Sequence, residues 1–139
     1  MPDNKSDIDI DKLLKAATSA REQAYAPYSG FKVGAALLAT SGKVFSGANV
    51  ENISLGLTIC AERAAVTAAI AAGDRDFTTL VVLTDSLPPA VPCGACRQVL
   101  AEFNPNLDIV CVSTNGEHGR ITLGDLFPRA NEGIGGRST

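Results

Sequence analysis

Residues 80–113, LVVLTDSLPPAVPCGACRQVLAEFNPNLDIVCVS, decide how this chain folds. The opening run, 80–84, is short, apolar and rich in β-branched residues, the composition of a strand buried in a core. Residues 86–92 carry three prolines and read as a loop, because proline lacks the N–H that a helix or a central strand needs. A helix is expected from about Cys93 to near Phe103, with Cys93-Gly94-Ala95-Cys96 at its start. Residues 108–113 are again apolar and β-branched and read as a second strand.

Upstream, residues 60–72 are strong helix formers, and Gly73 stands where a left-handed C-terminal cap falls. Residues 31–50 read as two strands around the Thr40-Ser41-Gly42-Lys43 turn, the second running out near Asn49. Between residues 7 and 24, Ile10, Leu13, Leu14 and Ala17 recur at helical spacing, and Pro27 ends that helix. Downstream, a polar turn at 115–119 precedes a last strand at 121–123, and regular pattern is lost from Leu126. No internal repeat is present. An opening hairpin followed by alternating strands and helices implies an α/β layered domain, a mixed sheet with helices on its faces.

The 139 residues, 45% hydrophobic, fit one domain spanning 1–139, with a flexible tail from about residue 130. A net charge of -3 argues against a nucleic-acid partner, whose phosphates are neutralised by Lys and Arg, and favours a small, weakly charged substrate. The N-terminus is acidic and polar, without the basic start and apolar run of a secretory signal, so the protein is expected in the cytoplasm. The longest alanine-rich run, residues 64–72, is far short of the ~20 apolar residues that cross a bilayer, so no membrane partner is expected. In that compartment four cysteines point to metal or chemistry rather than to disulfides.

Cys60, Cys93 and Cys96 are the expected metal ligands, all placed at the starts of predicted helices. A helix N-terminus carries partial positive charge, which favours thiolate, and soft thiolates suit Zn2+. Three protein ligands leave a fourth tetrahedral position for water, the arrangement of a catalytic rather than a structural site. Glu62 then supplies a base. A closed structural site needs a fourth ligand, for which Cys111 and His118 are the candidates; a buried strand thiol and a solvated turn histidine are the competing readings. On a helix, Cys60 and Glu62 would stand about 200° apart, so a shared metal must lie beyond the helix end. Three thiolates and one zinc sum to -1, and Arg63, which returns to the face of Cys60, is the expected charge-compensating residue. Arg97 could serve the same purpose or a buried ion pair.

These residues, together with Tyr28-Ser29-Gly30-Phe31-Lys32-Val33-Gly34-Ala35-Ala36-Leu37, Gly47-Ala48-Asn49-Val50-Glu51-Asn52, Cys60-Ala61-Glu62-Arg63 and Pro92-Cys93-Gly94-Ala95-Cys96-Arg97-Gln98, resemble the cytidine deaminase family. The resemblance is to its small homotetrameric branch with three cysteine ligands, and it spans most of the chain. It implies a three-layer α-β-α domain, zinc as cofactor, and hydrolytic deamination of cytidine and deoxycytidine in pyrimidine salvage. It further implies that Glu62 moves protons from water to the base and then to the departing amino group. The substrate is expected against Phe31, Asn49, Glu51, Ala61 and Val91, with Asn49 and Glu51 on the ribose hydroxyls, Phe31 against the base and the Val91 carbonyl facing the amino group. Leu55 and Asn131 stand where the family usually has tyrosine and phenylalanine, which implies weaker binding and greater tolerance of bulky bases. Deamination of a modified cytosine nucleoside, such as blasticidin S or an N4-substituted cytidine, is the alternative chemistry. A zinc-stabilised binding module without turnover is the alternative of another class.

Overall fold

The structure is a computed structural model and describes residues 5–132. Its elements run α1 (Lys5–Glu22), β1 (Gly34–Ala39), β2 (Val44–Ala48), a 3-10 turn (Leu55–Leu57), α2 (Ala61–Ala71), β3 (Phe77–Thr84), α3 (Gly94–Phe103), β4 (Asp108–Ser113), β5 (His118–Thr122) and α4 (Leu123–Leu126). Among the described residues the strands form one five-stranded sheet in the order β2-β1-β3-β4-β5. The β3–β4 pair is parallel and the other pairs are antiparallel, so the sheet is mixed.

Alternation along the central strands builds two cores, because successive side chains on a strand point to opposite faces. Ala35, Leu37, Leu80, Val82, Ile109 and Cys111 pack against Ala61, Ala65, Val66 and Ala69 of α2 and Leu100 and Ala101 of α3. Ala36, Leu38, Val81, Leu83, Val110 and Val112 pack against Leu13 and Ala17 of α1. The result is the three-layer α-β-α arrangement that the resemblance implies. Residues 80–113 supply its centre, a strand, a helix and a parallel strand.

Two glycines let helices approach the sheet closely. A Cβ on Gly34 would lie 2.0 Å from the Ala17 carbonyl oxygen of α1. One on Gly47 would lie 2.5 Å from the Ala61 carbonyl oxygen and 2.6 Å from the Ala65 nitrogen, so β2 touches the first turns of α2. Helix α2 ends in a Schellman cap: Gly73 takes φ +95°, its N–H bonds the Ile70 carbonyl at 3.0 Å and that of Asp74 bonds the Ala69 carbonyl at 3.0 Å.

Some boundaries differ from those read in the sequence. Strand β3 begins at Phe77 rather than Leu80, since Thr79 pairs with Asp108 and Phe77 with Ala39. The last strand is His118–Thr122 rather than 121–123: its register extends back to Val112↔His118, and Thr122 caps α4, accepting the Asp125 N–H at 3.4 Å. Past Leu126, where pattern is lost, Phe127 and Ala130 still pack against the core. The expected flexible tail lies outside the described residues from 133 onward.

Candidate active site

The carboxyl end of β3 and the N-termini of α2 and α3 surround a cavity of about 250 Å³. Cys60 is the N-cap of α2 and Cys93 the N-cap of α3, both in extended backbone, and neither side chain caps its own helix. Cys96 lies one turn into α3 and is fully buried. The sulfurs turn toward one another instead: Cys60 and Cys93 Sγ are 3.9 Å apart, Cys93 and Cys96 Sγ 3.4 Å apart, and all three lie within 4.8 Å. Tetrahedral zinc with Zn–S of about 2.3 Å requires sulfurs about 3.8 Å apart, so spacing and donor chemistry both fit that ion.

Hydrogen bonding from Cys96, helped by Arg63, holds the Cys60 thiol down to about 5 against the opposing effect of burial. Cys96, the donor in that pair and itself buried, is pushed upward. Arg63 Nη2 donates to Cys60 Sγ at 3.4 Å and to the Thr58 carbonyl at 3.2 Å. Arg63 is the third helical residue after the Cys60 cap, the position that a cap side chain reaches at a helix start.

Glu62, in the first turn of α2, is 5% exposed, and burial raises its carboxyl to about 7, with the Cys60 charge adding to the rise. Cys60 and Glu62 line the same cavity. The half-turn opposition expected of two helical neighbours does not arise, because Cys60 is a cap with extended backbone and only Glu62 is helical.

Phe31, Asn49, Glu51, Ala61 and Val91 all line this cavity. Phe31 and Val91 remain 38% and 44% exposed, so neither is a core side chain. Asn49 is buried; its Oδ1 accepts the Val33 N–H at 2.9 Å and its Nδ2 donates to the Phe31 carbonyl at 2.8 Å. Glu51 accepts from the N–H groups of Tyr28 at 3.0 Å and Ser29 at 3.1 Å and from the Ser29 hydroxyl. These bonds, led by that of the Ser29 hydroxyl, hold the Glu51 carboxyl below its usual range against an opposing desolvation.

Thr58, Val82, Thr84 and Ala90 also line the cavity and were not anticipated. Strand alternation from Leu80 could have placed Val82 and Thr84 on the α2 face; nothing local marks Thr58 or Ala90. Among the described residues Arg97 is neither a partner of the cysteines nor in an ion pair: Nε donates to the Pro92 carbonyl at 2.8 Å and Nη1 to that of Leu126 at 3.2 Å. Cys111 and His118 stay apart from the sulfur cluster, which among the described residues is the only group of three or more His, Cys, Asp or Glu able to hold a metal. Burial raises the Cys111 thiol to about 11, and His118 is exposed on β5. Leu55 is 74% exposed, while Asn131 lines a separate cavity with Pro105 and Asn106.

The family model for the "Cytidine and deoxycytidylate deaminase zinc-binding region" matches residues 8–113. The chain is 48% identical over 124 residues to the cytidine deaminase of Halalkalibacterium halodurans, covering 88% of this chain and 94% of that one. It is 45% identical over 124 residues to that of Sporosarcina psychrophila, covering 88% and 91%. The crystal structure of cytidine deaminase from Burkholderia pseudomallei superposes with a TM-score of 0.82 at 50% identity, covering 86% of this chain and 96% of the other. With three thiols converging at two helix N-termini beside a buried carboxyl, these matches show that the chain belongs to the cytidine and deoxycytidylate deaminase family.

Proposed function

We propose that the chain is a zinc-dependent aminohydrolase that converts cytidine and deoxycytidine, with water, to uridine and deoxyuridine and ammonia. The observation that carries this reading is the buried Glu62 carboxyl in the same cavity as a three-sulfur cluster spaced for one metal ion. Cys60, Cys93 and Cys96 would hold zinc, which when bound supplies the Lewis acidity that makes water nucleophilic near neutral pH. Glu62 takes one proton from the attacking water, whose oxygen bonds to C4, and gives it to N3 of the pyrimidine; it then moves the remaining hydroxyl proton to the exocyclic amino group, and the C4–N bond breaks to release ammonia and leave the C4 carbonyl. A carboxyl pushed toward neutrality by burial is suited to accepting and returning protons. Arg63 offsets the negative charge of three thiolates. Asn49 and Glu51 take the ribose hydroxyls, Phe31 packs on the base, and Ala61 and Val91 complete the wall.

One domain of this kind, working in the cytoplasm in pyrimidine salvage, would assemble as a homotetramer with sites near subunit boundaries. Support for assembly comes from apolar side chains next to the site: Ile53 is 81%, Leu55 74% and Leu57 66% exposed, more apolar surface in one segment than a monomer usually leaves in water.

The test pairs elemental analysis with an ammonia-release assay on the native protein and Glu62→Gln. About one zinc per chain is expected in both. Turnover should fall at least ~100-fold in the variant, since an amide cannot accept and return the proton. Near-normal turnover in zinc-loaded Glu62→Gln would remove Glu62 from the mechanism. Native protein that ignores cytidine but deaminates blasticidin S or an N4-substituted cytidine would replace the substrate assignment, and zinc binding without turnover of any of them would make the chain a binding module.

A further inference from the structure

One hydroxyl, that of Ser29, bridges Glu51 and Phe31 on the cavity wall. Glu51 Oε1 accepts two backbone N–H bonds, from Tyr28 and Ser29, and Oε2 accepts from Ser29 Oγ. A carboxylate offers about four lone-pair sites, so these three bonds leave about one, on Oε2, for a donor in the cavity. Ser29 Oγ also accepts the Phe31 N–H at 3.0 Å, while the Phe31 carbonyl accepts from Asn49 at 2.8 Å. Ser29 therefore links two cavity-lining residues from different segments, using its single proton on one and a lone pair on the other. Without it, Glu51 Oε2 would lose its protein donor, and only the two N–H bonds on Oε1 would be left to resist rotation about a last torsion that is broad and weakly preferring.

We propose that Ser29 is a positioning residue for nucleoside recognition, its hydroxyl orienting the Glu51 carboxylate so that the remaining Oε2 lone pair meets a sugar hydroxyl while Phe31 is held at the base. The proposal rests on the reading of Glu51 as a ribose ligand given above. Orientation of this kind acts on binding and on discrimination between sugars, and leaves the proton transfers at the base to Glu62.

The experiment measures kcat and KM for cytidine and for 2′,3′-dideoxycytidine, which lacks both hydroxyls, in native protein, Ser29→Ala, Ser29→Thr and Glu51→Gln. Glu51→Gln should lower kcat/KM for cytidine at least about tenfold more than for the dideoxy analogue, the loss expected for a charge-assisted hydrogen bond. Ser29→Ala should shift the same ratio in the same direction by about five- to tenfold, through KM, with kcat for cytidine within about twofold. Ser29→Thr, which keeps the hydroxyl, should restore the ratio. In the double variant Ser29→Ala/Glu51→Gln the two losses should not add, because one acts through the other. If Ser29→Ala lowers both substrates equally or neither, while Glu51→Gln discriminates, the positioning role is overturned and the ribose reading stands. If Glu51→Gln itself does not discriminate, the ribose reading falls and the proposal with it.

Discussion

Cys111 and Cys60 show how surroundings divide the chemistry of identical side chains. Cys111 sits in β4 between Val110 and Val112, and burial raises its thiol from the ordinary 9.0 to about 11. It therefore stays a neutral thiol, packed as a small apolar residue. Cys60 faces Arg63 and two other sulfurs and is drawn toward thiolate. Elemental analysis should thus find zinc retained in Cys111→Ser and lost in Cys60→Ser; the reverse result would sink the ligand assignment. The raised Cys111 pKa also has a sign for stability. The folded state holds that proton more tightly than the unfolded chain, so the contribution is complete below about 9 and is lost as pH rises toward 11. Urea unfolding of zinc-loaded Cys111→Ala should show a shallower loss of stability over that window than the native protein, and equal slopes would contradict it.

At the scale of elements, the site depends on how closely α2 can approach β2. Gly47 makes the approach possible, and the backbone it touches, Ala61, lies between Cys60 and Glu62. Gly47→Ala forces the helix start away from the sheet, because the new Cβ meets backbone that cannot rotate aside. A loss of about 1–3 kcal/mol is expected from overpacking, together with weaker metal retention against a chelator. Gly116→Ala is the contrast: φ is +97° and the space around it is open, so the cost is backbone strain alone, about 1–2 kcal/mol, at a turn residue that does not line the sulfur-bearing cavity. Thermal unfolding and chelator titration of both variants separate the effects. Equal zinc retention in the two would show that the Gly47 contact does not set the site.

For the whole molecule, the described surface is unevenly apolar. Val50, Ile53, Leu55, Leu57 and Ile59 are all at least 46% exposed and lie in one stretch that leads into Cys60. A stretch like this next to a site is covered by another subunit in the proposed tetramer, and Leu57→Asp then places a charge in the contact. Light scattering should give a tetramer for the native protein and smaller species for Leu57→Asp, with activity falling in parallel. A native monomer that keeps full activity at nanomolar concentration would contradict the assembly.

Short-range signals were legible without the structure. The β-branched runs, the proline loop, the Gly73 cap and the cysteines at helix starts are each written within a few neighbouring residues, and together they specify a mixed α/β sheet with the thiols at helix N-termini. The short spacing of Cys60 and Arg63 likewise brought them together, though as a helix cap and its third residue rather than as two helical positions. What the tertiary structure decided depends on atoms distant in sequence. Phe31 lines the cavity rather than the core, with its carbonyl pinned by Asn49 from 18 residues away. Arg97 turns from the sulfurs because the Leu126 carbonyl, 29 residues on, comes within 3.2 Å. The bonds that leave one lone pair free on Glu51 come from donors 22 and 23 residues away. A sequence names which groups can donate and accept; only packing determines which of them meet, and so which valences remain for a substrate.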